Sequence, residues 1–269
     1  MKKLATALVS AAAIMTMSTI AFAAENPAEV FDRVMEKNNT IQSAEIQSGV
    51  HSVILAKDVI PDGQMKVDMA MHAEMDMQDT TALKYLAQVA SSILGQDSYS
   101  QVFYTDGYYY VDANGVKLKY PMPLEQIISS VQTGVNTSNM ESSYMKGISL
   151  NEVNGKRVLA YEANPKKLNK NVKEALGTVM NTLGTDVNLD MNIQEMKGAY
   201  VLDDNDYIIY MTNYIVYNME VLDQPMTCIT LMETEVQNPG EPVVVTLPST
   251  DGYEDLIGLY DGVIESEVE

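Results

Sequence analysis

The chain has 269 residues and a formal net charge of −20, with 17 basic against 37 acidic residues. That surface repels phosphate backbones and anionic membranes at long range, which argues against nucleic acid as a partner. The length admits one large domain or two small ones, and the single cysteine, Cys228, rules out an internal disulfide, so packing must supply the stability.

The first residues have the three parts of a secretory signal: Lys2 and Lys3, an apolar run over residues 4–20, and Ala21-Phe22-Ala23 as a small-x-small cleavage site. The run is short, is broken by Thr and Ser, and leads into polar sequence at Glu25-Asn26, which argues against a membrane anchor. Processing near Ala23 leaves 246 residues at a charge of −22. No cysteine stands at the end of the apolar run, so no lipid anchor and no transmembrane segment are expected in the mature chain. The expected location is secreted, extracytoplasmic.

Asn26-Pro27-Ala28-Glu29 reads as an N-cap, a proline at the first helical position and a capping-box glutamate, opening a helix to about Lys37. Val30, Phe31, Val34 and Met35 form its buried stripe. The period then changes to two. Ile46, Ser48, Val50, Ser52 and Ile54 mark a strand over 44–56, closed by the turn Pro61-Asp62-Gly63. Met65, Val67, Met69, Met71, Ala73, Met75 and Met77 then alternate with polar residues, predicting a long strand with one apolar face. Leu83, Leu86, Ala87, Ala90, Ile93 and Leu94, followed by Gly95, read as a helical stripe with a glycine stop.

Strands resume over 99–105, 108–112 and 116–120, with Asp106-Gly107 and Asn114-Gly115 as hairpin turns. Residues 123–131 read as a short helix and 138–146 as an irregular connection. The pair 148–153 and 157–163 is a hairpin about Asn154-Gly155. Pro165 opens a helical segment to about residue 183, with Leu168, Val172 and Leu176 on one side. Long strands follow at 187–202, 207–219 and 226–236, the first two joined by the Asp203-Asp204-Asn205-Asp206 turn. A short strand at 243–247 precedes an acidic tail over 251–269. The expected organisation is a signal peptide at 1–23, a single domain over 24–250 and the tail.

The order of elements is α+β and dominated by antiparallel pairing. An apolar sheet face this long needs a cover, and the helices are the material for it. The expected fold is therefore a strongly curved antiparallel sheet with helices packed on its concave face.

Chemistry-bearing motifs are sparse. The run from Asp68 to Met77 pairs thioethers with His72, but a strand points His72 away from the methionines, so a copper site is not expected and a Met-rich packing or ligand face is. Met65, Val67, Met69, Met71, Met75 and Met77 are the candidate ligand-binding residues, because flexible, polarisable thioethers suit an adaptable apolar surface. Asp186 to Asp190 resembles the start of a calcium loop but has Met191 and Lys197 where that loop needs Gly and Glu, so a strand is expected there. The acidic turn 203–206 reads as a solvated loop. The tyrosines at 104, 108, 109 and 110, and at 207, 210, 214 and 217, read first as cross-strand partners and second as an amphipathic rim. No nucleophile elbow, P-loop or dinucleotide fingerprint is present, so no enzyme activity, cofactor or metal is expected.

The opening helix ending in Met35-Glu36-Lys37, the x-Met-x-Met strands, and the hairpin from Val102 to Tyr110 leading to Lys117-Leu118-Lys119-Tyr120-Pro121-Met122 occur in one chain with the closing Val243-Val244-Val245-Thr246-Leu247-Pro248. Together they resemble a family of exported proteins and lipoproteins of Gram-positive bacteria. That family is similar in architecture to the lipoprotein carrier LolA and to mycobacterial lipid carriers of the LppX and LprG type. The resemblance implies an open half-barrel closed by helices around an apolar cavity, and carriage of acyl chains. This chain departs from it in lacking the lipobox cysteine. The expected function is noncatalytic binding of a lipid or other hydrophobic ligand between sheet and helices. The alternative is a cell-envelope adaptor whose core is filled by its own side chains and whose partner is an envelope protein.

Overall fold

Asn26 opens the first helix: its Oδ1 accepts the Ala28 amide at 3.1 Å and its Nδ2 donates to Glu29 Oε1 at 3.1 Å. The expected capping pair therefore forms, although Glu29 is bound by the Asn26 side chain rather than by its backbone. Helix α1, Pro27–Asn38, buries Val30, Phe31, Val34 and Met35. It stops at Asn38, whose Nδ2 turns back to the Val34 carbonyl at 2.8 Å.

The computed structural model describes residues 25–56, 60, 62–79, 83–124, 126, 140–170, 191–221 and 224–256. The expected signal peptide, most of the short helix expected at 123–131, the helical continuation beyond 170, the calcium-loop-like 186–190 and the tail from 257 lie outside them. The described strands are β1 (Ser43–Leu55), β2 (Gln64–Asp76), β3 (Lys84–Ile93), β4 (Gln96–Thr105), β5 (Tyr108–Ala113), β6 (Val116–Pro121), β7 (Met145–Val153), β8 (Lys156–Ala163), β9 (Met191–Leu202), β10 (Ile208–Val221), β11 (Gln224–Gln237) and β12 (Glu254–Asp255). They form one open sheet in the order β12-β6-β5-β4-β3-β2-β1-β11-β10-β9-β8-β7. The ladders from β3 to β6 and from β7 to β11 are antiparallel, and β12 runs parallel to β6. The α+β class dominated by an open antiparallel sheet is therefore the observed one.

The described residues gather into two compact units, one within 25–38, 49–68 and 140–235 and the other within 39–48, 69–126 and 236–256. In the first, α1 lays Phe31 on Tyr161 and Tyr200, with Val30, Leu159 and Leu202 closing the core around it. Asn164 caps a second helical segment through the Lys166 amide at 3.1 Å. Residues 165–170 are helical, and Leu168 packs on Ala163 and Ile193. Both helical pieces thus cover sheet in this unit, as an apolar face requires.

In the second unit Phe103 and Tyr110 stack at 4.6 Å, and Tyr253 stands edge-on to both at 5.6 and 5.1 Å. Three expectations change here. Residues 84–93 are strand β3, not a helix: Ser91 Oγ bonds Ser98 Oγ across the ladder at 2.6 Å, and Gly95 belongs to a hairpin loop with Leu94 rather than to a helix end. Two of the stripe residues, Leu86 and Ala87, are neighbours and both buried, which a strand allows where both of its faces are covered. Residues 243–247 make no ladder. Val243, Val245 and Leu247 pack on the aromatic core and Val244 is exposed, so the alternation reflects side-chain docking without strand pairing. The first residues of the segment expected as a tail are anchored, with Tyr253 buried and Glu254 and Asp255 opposite Leu118 and Lys119.

The acidic turn before β10 is a clamp rather than a solvated loop. Asp203 Oδ1 accepts the amides of Asn205 and Tyr207 at 2.8 Å each. Asp206 takes Arg33 Nε on Oδ2 at 2.8 Å and Arg157 Nη2 on Oδ1 at 2.5 Å, which ties α1 to β8 through the turn. Burial would raise the Asp206 pKa, but the bonds from Arg33 and Arg157 outweigh it and hold the carboxyl below its ordinary value. A depressed folded-state pKa stabilises the fold above the ordinary carboxylate pKa and ceases to do so as pH falls through the folded value. Asp206→Asn is therefore expected to cost roughly 2 kcal/mol at pH 7. Urea titrations should show the gap to wild type closing below about pH 4. A gap that persists unchanged at pH 2.5 would mean the charge is not what holds the turn.

Candidate ligand-binding face

The face that carries α1 can be followed strand by strand within the first unit. Tyr161 of β8, Gly198 of β9, Asn213 of β10 and Met232 of β11 lie in register, and Tyr161 belongs to the α1 core. Thr230, two residues before Met232, shares its face, and Thr230 Oγ1 bonds Ser52 Oγ of β1 at 2.9 Å. Val50 and Ile54 lie on the same side of β1 as Ser52. His51 and Asp68 meet on the reverse side, Nδ1 to Oδ1 at 2.7 Å. Alternation therefore turns Met65 and Val67 of β2 toward the α1 face. The result is a set of half-buried apolar side chains on this face, Val50, Ile54, Met65, Val67, Ile215 and Met232, of which Ile215 packs against the cluster of Ala163, Leu168 and Ile193.

The candidate residues on β2 divide along its length. Met65 and Val67, in the first unit, are half-buried. In the second unit Met69 is exposed, Met71 is half-buried, and Met75 and Met77 are core side chains with almost no exposed surface. Ser43 Oγ donates to the Met75 carbonyl at 3.2 Å, fixing that end of the strand. His72 points the other way, with Nε2 3.2 Å from Glu45 and 3.8 Å from Glu74. The imidazole is thus engaged by carboxylates on the face opposite the thioethers.

One polar group crosses the α1 face. Tyr161 donates its hydroxyl to Asn213 Oδ1, reaching over β9 at the point where Gly198 has no side chain. Burial pushes the Tyr161 hydroxyl well above the ordinary phenol value, and it pushes Tyr200 up to about 12 although the bond to Tyr161 pulls Tyr200 back. Both phenols stay neutral at physiological pH, so they offer hydrogen bonds and aromatic surface rather than charge. Cys228, buried on the same face, has its thiol pKa raised by burial against a lowering bond from Tyr217, which keeps it protonated. On the reverse face Tyr210 donates to the buried Glu233 at 2.7 Å. Gly198, Tyr161 and Asn213 were not singled out from the sequence. The available signal was an isolated glycine inside a strand pattern, which marks a close approach by a neighbour.

The tyrosine clusters divide between their two readings. Tyr104 and Tyr110 are core, Tyr104 donating to the Met122 carbonyl at 3.3 Å. Tyr109 and Tyr120 pair across strands with ring centroids at 5.5 Å. Tyr214 carries Lys197 Nζ at 4.9 Å, and Tyr207 carries Lys37 at 4.4 Å. Tyr217 packs beside Ile215 on the α1 face, the position an amphipathic rim requires. A separate surface depression of about 250 Å³, with Pro27, Ala28, Met145 and Ile148 in its wall, lies below the range of drug-sized pockets.

A family model described as "Family of unknown function (DUF6612)" matches residues 26–248. No curated protein matches the chain. Among solved structures it is similar to LprF from Mycobacterium bovis, at 10% identity and a TM-score of 0.35, covering 83% of this chain and 97% of that one. A beta-barrel-like protein of the domain of unknown function DUF1849 from Brucella abortus matches at 10% identity and a TM-score of 0.25, over 74% of this chain and 100% of its own. A DUF1329 family protein from Desulfovibrio piger ATCC 29098 matches at 10% identity and a TM-score of 0.25, over 82% and 96%.

Proposed function

The chain belongs to DUF6612, and because that family's description names no activity, we propose from the geometry of the α1-bearing face that this is a noncatalytic extracytoplasmic protein binding a lipid or other hydrophobic ligand between its sheet and helices. One observation carries the reading. The sheet face that carries α1 also carries Val50, Ile54, Met65, Val67, Ile215 and Met232, all apolar and all held at partial exposure. Each Å² of such surface covered by an apolar guest contributes about 25 cal/mol. Thioethers let the set adapt to chains of different shape, and the neutral Tyr217 hydroxyl suits its edge. Export follows from the signal-like residues 1–23, and no helix among the described residues is long and apolar enough to cross a membrane.

Native mass spectrometry of gently purified protein is expected to show a bound apolar mass, and a fluorescent fatty acid should be taken up. Val67→Lys with Met232→Lys places two cations in the set and is expected to weaken uptake tenfold or more while the thermal midpoint moves by only a few degrees. Wild-type protein recovered free of ligand and inert to the probe would refute the proposal. An envelope protein then cross-linked to the chain on intact cells would put the adaptor reading in its place.

A further inference from the structure

Among the described strands β7 ends the sheet, with β8 as its ladder partner. A free edge of nine residues is a template for another chain, and proteins blunt such edges with proline, lysine, a bulge or a very short strand. The strand at the other end, β12, has two residues. In β7 the bulge between Met145 and Gly147, and the one lysine, Lys146, are confined to the start. Residues 147–152 have no proline and no lysine. Val153 and Lys156 close the two-residue loop Asn154-Gly155 and so form the first hydrogen-bonded pair of the ladder. Alternation from Val153 then aims the N–H and C=O groups of Ile148, Leu150 and Glu152 away from β8.

Counted outward from Ser149, the strand complements itself: Lys146-Gly147-Ile148 precede it and Leu150-Asn151-Glu152 follow. An antiparallel copy centred on Ser149 sets Ile148 against Leu150, Gly147 against Asn151 and Lys146 against Glu152. The backbone groups aimed outward then face one another, because Ile148 and Leu150 both belong to the outward set. The neighbouring registers that keep this alignment set Leu150 against Lys146, or Ile148 against Glu152. The charges add a second reason for the register. The depression of about 250 Å³ beside Met145 to Ile148 has Lys146 and no acid in its wall, in a chain of net charge −20. Pro27 and Ala28 bring the positive end of α1 to it. Glu152 shares the face of Ile148 and Leu150, which is the α1 face, so the paired copy delivers its carboxylate to that depression.

We infer that β7 pairs edge to edge with the β7 of a second copy of this chain, about a two-fold axis at Ser149, with Glu152 of each copy against Lys146 of the other. Such an interface is isologous, the same strand serving both sides. A second copy fits better than a foreign strand because the acid, the apolar pair and the base that the edge requires are those β7 itself carries at the right offsets. Seven residues a side make a small interface, so a reversible dimer is expected rather than a permanent one. The like net charge of the two copies opposes their approach, but at about 0.15 M salt a Debye length of about 8 Å screens it and leaves pairs in contact. The inference stands apart from the ligand proposal, none of whose six residues lies in β7.

The test is sedimentation equilibrium of the chain lacking residues 1–23 at about 0.15 M salt. Wild type is expected to show a monomer–dimer equilibrium. Lys146→Glu and Glu152→Lys each set like charges across the seam at both of its ends and should each weaken dimerisation at least tenfold. Both side chains are exposed, so the thermal midpoints should move by only a few degrees. An equimolar mixture of the two variants again places an acid opposite a base at each end, and should dimerise as wild type does although neither variant does so alone. Fatty-acid uptake should be the same for wild type and both variants, so ligand binding and dimerisation succeed or fail separately. Wild type that stays monomeric up to about 0.5 mM, a dimer indifferent to both substitutions, or a mixture that stays monomeric would each overturn the inference.

Discussion

Gly198→Ala is expected to cost the fold roughly 3–5 kcal/mol. A Cβ at this position would lie 2.5 Å from the Thr212 carbonyl oxygen, 2.5 Å from Asn213 Oδ1 and 2.9 Å from the Tyr161 hydroxyl. Moving the Thr212 carbonyl displaces β10 from its ladder with β9. Moving the two side-chain atoms breaks the Tyr161–Asn213 bond and leaves both polar groups buried without each other. Backbone freedom is not the issue, because Gly198 lies within the paired part of β9. The contrast is Gly147→Ala in β7, where a Cβ meets nothing within 4 Å and the change should be close to neutral. Denaturant midpoints for the two variants separate the cases. Equal midpoints would show that β9 and β10 part cheaply, and the account of the crossing bond would be wrong.

Phe31→Ala should be of similar size, roughly 3–5 kcal/mol, through the removal of a fully buried ring. The Phe31 ring stands edge-on to Tyr161 at 5.8 Å and tilted against Tyr200 at 6.2 Å, so truncation also removes aromatic contacts beyond the area term. The surrounding strands limit how far the site can collapse, because Tyr161 is held by Asn213. Hydrogen exchange provides a local readout. Amides of residues 27–38 should lose protection well before those of β9 and β10, since α1 loses its central apolar anchor and keeps polar tethers such as Arg33 to Asp206 at 2.8 Å, Asn38 to Ile208 at 2.9 Å and Asp32 to Ser142 at 2.7 Å. Uniform loss of protection across α1 and the strands would instead make the helix part of one cooperative core. Val244→Ala, at an exposed position, is the neutral reference.

Both predictions bear on the proposed binding face. Gly198, Tyr161 and Asn213 make the sheet rigid beneath α1, while the half-buried set on the same face is built from side chains that can re-pack. A rigid frame with adaptable thioether and branched side chains at its margin suits ligands of varied length better than ligands of one shape. Fatty-acid uptake in Gly198→Ala at temperatures where it remains folded would show whether the frame or only the half-buried set is needed.

The hairpins were legible because their signal is local. Asn-Gly and Asp-Gly between alternating runs state a turn type, and the loops at 106, 114 and 154 follow it. Helix α1 was legible for the same reason, through Asn26, Pro27, Glu29 and one apolar stripe. The misread segment, 83–95, shows where local signals stop: Leu86, Ala87, Ala90, Ile93 and Leu94 fit a helical stripe and a strand almost equally. The choice was made by Tyr85, Val89 and Ser91 finding cross-strand partners in Tyr104, Ser100 and Ser98.

By itself the sequence determined the acidic surface, the α+β class, the alternation of β2 and the positions of three hairpin turns, since each depends on neighbours a few residues apart. Tertiary structure alone decided that β3 is a strand and that Tyr253 closes the second core. It also decided that Asp206 clamps α1 and that Tyr161 meets Asn213 over Gly198. Apart from the β3–β4 pairs, these are contacts between residues tens to hundreds of positions apart. No short-range pattern encodes them, because their free energy exists only once the strands are in register.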